Sequence, residues 1–224
     1  MAVDRVSSTR RSRGVRAGLD RRQIIDAART LDPGAVTMQA VADVLGVDRK
    51  AVNHHVSDRE TLLGLVAVDA FSEHFSAVRI TANSDWKDTC RTYAIGLTDA
   101  VITIGSLADH LHLANPLVAT MLEATDIVLS TLIDAGADDE TALRALVLLT
   151  NICLGHARDV TSMASAGVRP RRDLVTKAMS DADAPPFETL ERLAAGQIDT
   201  YDQRQLELSI DVFVRGTEAL LTDG

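Results

Sequence analysis

LGVDRKAVNHHVSDRE, residues 45–60, gathers basic and hydrogen-bonding side chains in a chain whose formal charge is −9. Gly46 suits the left-handed position that ends one helix. Asp48 suits the N-cap of the next. Val52 and Val56 lie four apart and anchor that second helix inward, with Val47 in the turn. At about 100° per residue, Lys50, Asn53 and His54 then point away from the anchor, and Arg49 and His55 lie on the flanks. Beyond the cap, the outward face carries no carboxylate.

Working outward, an N-terminal helix is expected from Asp20, with Ile24, Ala27, Ala28 and Leu31 at helical spacing. Asp32-Pro33-Gly34 stops it. Thr37 is placed to cap a second helix whose inner face is Val41, Ala42 and Leu45. S57-D58-R59-E60 reads as a capping box, Ser57 with Glu60, opening a helix that carries Leu62, Leu63, Val66 and Phe71 to about residue 80. Further helices are expected over 86–105, 107–113, 117–135, 139–165, 187–195 and 203–222. The charged, proline-punctuated segment 167–186 reads as a loop. The fold class is therefore all-α.

Residues 37–56 make helix, glycine turn, short helix. A helix held proud of the surface by such a turn fits the major groove of B-DNA. Lys, Asn and His are suited to base edges and phosphates. Gln39 lies where it can reach a neighbouring base, and Thr37 with the amides around it can hold a phosphate.

Charge placement agrees. Residues 1–60 hold 11 Lys/Arg against 8 Asp/Glu, a net of +3, and the remainder is strongly acidic. A basic module on an acidic body points to a local polyanion contact. The apolar share, 46%, allows a substantial core, and the low aromatic share, 3%, favours helices packed through aliphatic side chains. Cys90 and Cys153 are far apart and make neither a metal pattern nor a disulfide framework, which fits a reducing cytoplasm. Residues 1–17 are arginine-rich without an apolar stretch, so no secretory signal is expected there. They read as a flexible arm. Its Arg10, Arg11, Arg13 and Arg16 suit a minor groove or simply a solvated tail. The run ALVLLTNICLG (145–155) is too short to span a bilayer.

The stretch GAVTMQAVADVLGVDRKAVNHHVSDRETLL (34–63) resembles the helix-turn-helix of the TetR (tetracycline repressor) family. The likeness rests on Thr37 opening the second helix, the turn Ala42 to Val47, His55-Val56, and Asp58-Arg59-Glu60-Thr61-Leu62-Leu63. It departs at Asn53, where the family commonly has a tyrosine. More weakly, 185–221 is similar to the closing helices of the tetracycline-repressor-like subgroup through Phe213, Gly216, Leu220 and Leu221.

The resemblance implies a three-helix DNA-binding domain over 18–66 and a larger helical ligand-binding and dimerisation domain over 67–224. It implies a homodimer built on 139–165 and 203–222, a double-stranded DNA operator, and a small-molecule effector. The DNA-contacting set is then Thr37, Met38, Gln39, Arg49, Lys50, Asn53, His54, His55 and Arg59.

Two clusters invite other chemistry. His110 and His112, and the trio Cys153, His156 and Asp159 at i, i+3, i+6, lie where polar groups line a cavity or satisfy one another in the core. Asp159 and one histidine fall near the family's magnesium–drug site, but the spacing around Pro116 does not align. His110, His112, Asn151, His156 and Asp159 are therefore ligand candidates. Adjacent histidines on a helix diverge by about 100°, so His54 and His55 do not share an ion. No metal or cofactor is expected. On the residues alone, a helical enzyme or ligand carrier with a structural N-terminal module is the alternative.

Overall fold

A computed structural model describes residues 18–81, 85–111, 117–166, 170–181, 187–196 and 198–222. Helices dominate, and among the described residues there is no strand. The chain divides into two compact units between Leu62 and Leu63.

The first unit holds α1 (Arg21–Arg29), α2 (Met38–Leu45) and α3 (Arg49–His55). Asp20 and Gln23 form a reciprocal capping box at the head of α1. Thr37 caps α2 by accepting from the Ala40 amide at 3.0 Å. Gly46 then takes φ 64°, the left-handed conformation that costs a side chain most, and Asp48 caps α3 through the Lys50 amide at 2.7 Å. Ile24, Ala28, Val41, Ala42 and Val52 are fully buried. Val52 is thus the pin that seats α3 on the other two helices.

α4 (Arg59–Phe75) begins one residue later than the sequence suggests. Its cap is Asp58, which accepts from the Thr61 amide at 2.7 Å, while Ser57 turns its hydroxyl onto the Asp58 carboxylate. The charged Asp58 side chain takes the role expected of Ser57, and Thr61 stands at the third helical position in place of Glu60. α4 also stops short of residue 80. Ser76 and Arg79 side chains engage the carbonyls of Glu73 and Ser76, and the backbone closes into tight turns through Val78.

The second unit is organised around α5 (Trp86–Thr103). This helix packs against α6 (Leu117–Asp134), α7 (Asp139–Ala166) and α10 (Gln203–Thr222). Tyr93 and Leu97 of α5, Val128 and Leu132 of α6, Leu149 and Cys153 of α7, and Ile210 of α10 are buried. Phe71 and Phe75 stack, and Phe75 meets Tyr93 edge-on with ring centroids 6.1 Å apart. Arg91 pairs with Asp211 at 2.6 Å, and Lys87 pairs with Glu218, locking α10 in register against α5.

Two expectations change. The helix expected over 107–113 is a 3-10 turn, Gly105–His110, entered through Gly105 at φ 56°. The expected loop 167–186 contains α8 (Pro170–Asp181). Proline punctuation suggested a break, but Pro170 is the first helical residue, where its missing N–H costs nothing, and Asp173 lies in the first turn, where the helix dipole favours a carboxylate. α9 (Glu188–Ala195) follows. Among the described residues no helix is long and apolar enough to cross a membrane.

Candidate nucleic-acid interface

α3 presents the face that the spacing of its valines demands. Val52 is fully buried and Val56 nearly so, whereas Arg49, Lys50, Asn53 and His54 are exposed and His55 is half-buried. The two histidine rings meet edge-on, their centroids 5.3 Å apart. The last turn of α3 is held by Arg21, which donates to the His55 carbonyl at 3.4 Å, a basic group complementing the negative end of a helix.

Beside this ridge runs a cleft of about 310 Å³ whose walls include Thr37, Gln39, Arg49, Asn53, Asp58 and Arg59. It therefore joins the head of α2 to the flank of α3. Not every expected contact residue is equally presented. Met38 borders the cleft but is buried, so its side chain belongs to the core. Gln39 is exposed but donates to Asp43 at 2.8 Å, so a base contact would first exchange that bond. Arg59, which also lines the cleft, spends its Nε–H on the Val36 carbonyl at 2.7 Å. Lys50, His54 and His55 stand on the ridge outside it.

Within SDRE the sequence points only Arg59 toward DNA, whereas Ser57 and Asp58 line the cleft as well. The Thr61 amide, then the Ser57 hydroxyl, hold the Asp58 carboxyl below the usual carboxylate range. A negative charge thus shares the cleft with Arg49 and Arg59, which restricts where a phosphate can settle.

The residues expected to line a ligand cavity are dispersed. His110 is half-buried in the 3-10 turn, and Asn151 is exposed on α7. His156 lines a crevice of about 230 Å³ that includes neither Asn151 nor Asp159. His112 lies outside the described residues. The Cys153 thiol is buried, which pushes its pKa up to about 11 and keeps it in the neutral form of a packed thiol. Among the described residues no group of three or more His, Cys, Asp or Glu is gathered as metal ligands would be.

No family model matches this chain. Two curated relatives, the tetracycline repressor proteins of class D from Escherichia coli and class H from Photobacterium damsela subsp. piscicida, are each 24% identical to it over 214 residues. Those alignments cover 92% of this chain and 92% of each relative. Among solved structures, a possible TetR family transcriptional regulator from Streptomyces coelicolor A3(2) superposes with a TM-score of 0.70 at 20% identity, covering 90% of this chain and 100% of that one. Apo ActR from Streptomyces coelicolor gives 0.68 at 21% identity over 93% and 99%. ActR has also been solved with actinorhodin, giving 0.65 at 21% over 88% and 95%. This chain resembles the tetracycline repressors along nearly its whole length and has the all-helical fold of the TetR-family regulators.

Proposed function

We propose that this chain is a ligand-responsive, DNA-binding transcriptional regulator, a repressor that holds a palindromic operator as a homodimer and leaves it when a small molecule binds. The observation that carries the reading is α3. It is pinned by Val52, and its exposed face of Lys50, Asn53 and His54 holds no carboxylate. Residues 18–66 act as the DNA-binding domain, with 1–17 as a basic arm, and 67–224 bind the effector and the second copy. The protein works in the cytoplasm and carries no catalytic activity.

The dimer reading rests on α7 and α10. Leu148 of α7, with Val212 and Leu220 of α10, is more than half exposed, and a groove of about 610 Å³ runs between the two helices. Leu208, Val212, Gly216 and Leu220 recur every four residues, a single stripe along α10. Such a stripe, unused within one chain, suits a four-helix bundle with a second copy. Two-fold symmetry would then set two α3 helices about 34–36 Å apart, one helical turn of DNA. The named relatives are tetracycline repressor proteins, and ActR has been solved in complex with actinorhodin, which supports an effector without naming this one. An effector that loosens operator binding must itself be held more weakly by the DNA-bound form.

The test is selection of duplexes from a random pool, followed by a salt titration of the winners. A regulator should enrich an inverted repeat, with affinity falling steeply as salt rises. Enrichment of nothing over a shuffled pool would refute the reading.

A further inference from the structure

The second unit contains a crevice that shares no lining residue with the α7–α10 groove assigned to pairing. It opens where the later turns of α5 and α7 meet the start of α10, and its volume is about 230 Å³. Ile95, Ile102, Val160 and Leu206 give it an apolar wall. Asp99 of α5 and Glu207 of α10 add two carboxylates beside His156 and Tyr201, and among the described residues no lysine or arginine lines it. Gln203 donates to Glu207 at 2.9 Å and holds that carboxylate in place.

Deeper in the same wall, the fully buried Thr98 hydroxyl has no hydrogen-bond partner of proper geometry. The Cys153 thiol is near it but is a weak partner. A buried hydroxyl without a partner is costly, and a ligand group placed against it would remove that cost. Apolar surface with a few convergent polar groups is the ordinary composition of a small-molecule site.

We propose that this crevice binds a small organic cation. The ligand's ammonium lies between Asp99 and Glu207, its apolar body lies on Ile95, Ile102, Val160 and Leu206, and a hydroxyl or similar group reaches Thr98. This deepens the regulator reading and rests on it for its consequence, release of DNA. The binding itself is tested independently.

Calorimetric titration of the full chain with tyramine, phenethylammonium and 3-(4-hydroxyphenyl)propionate is the experiment. Tyramine should bind about tenfold more tightly than the propionate, the share expected of two partly exposed ion pairs. Asp99→Asn with Glu207→Gln should bring the two within about twofold, with each single variant between, and circular dichroism melts check that the variants fold. Thr98→Val should erase the advantage of tyramine over phenethylammonium. Absence of tyramine binding at millimolar concentration, or a cation preference that survives in the double variant, would overturn the proposal. Wild-type binding to selected duplexes, measured in parallel, separates the readings. Tyramine bound without DNA overturns the regulator and leaves the crevice, and DNA bound without a cation preference does the reverse.

Discussion

Lys50, Asn53 and His54 share a helix only 7 residues long, so each covers a separate part of any DNA contact. Lys50 is a point charge suited to phosphate or guanine. Replacing it with alanine should weaken binding to a selected duplex about tenfold and lower the salt slope by about one. Asn53 presents an amide, able both to donate to and to accept from a base edge. Asn53→Ala should relax the base preference at one position of each half-site while leaving the salt slope unchanged, as read from reselected sequences. An altered slope would move Asn53 to the phosphates.

The exposed face of α3 was legible because two valines four apart fix a seven-residue helix. Met38 was not legible, since the first residue of α2 points inward only through the way α2 crosses its neighbours. The one-residue shift of the α4 cap, from Ser57 to Asp58, was equally hidden. Both side chains can accept from an amide, and packing decides between them.

At the scale of elements, Gly96 shows how closely the segment after α4 approaches α5. A Cβ there would stand 2.5 and 2.6 Å from the two γ carbons of Val78, and a β-branched side chain has little freedom to yield. Alanine would gain about 1 kcal/mol of helix propensity but lose about 1–3 kcal/mol to overpacking. Gly96→Ala should therefore destabilise the protein in urea melts. In a Val78→Ala background the obstruction is gone, and the same change should become stabilising. No reversal of sign between the two backgrounds would show that some other neighbour sets the limit. Periodicity located most of these helices, because their apolar stripes face α5. It failed for α8, where Pro170 and a charged composition gave a breaker signal to a helix start.

For the whole molecule, pairing of copies is tested on the α7–α10 groove. Leu148→Asp with Val212→Asp places buried charge in a bundle core, and light scattering should report single chains with duplex affinity reduced at least about tenfold. A dimer that persists would move the interface elsewhere. Alkaline stability follows from the two thiols. Burial pushes Cys90 up to about 12 and Cys153 up to about 11, against 9.0 for an exposed thiol. The unfolded chain therefore releases these protons first. Their contribution is intact below pH 9 and is lost as pH rises toward 11, by about 1.4 kcal/mol per thiol per pH unit. Melts of a Cys90→Ala, Cys153→Ala variant should lack that share of the slope.

Trp86, the sole tryptophan, opens α5 and is buried in the second unit, with the Lys87 ammonium 5.8 Å from its ring. The chain is thus optically one-sided. Its intrinsic fluorescence reports loss of order around α5 and is silent about α1 to α3, whereas far-ultraviolet dichroism sees every helix. Two melting curves from one sample, overlaid, therefore separate unfolding in one step from early loss of the DNA-reading module, with no label and no substitution.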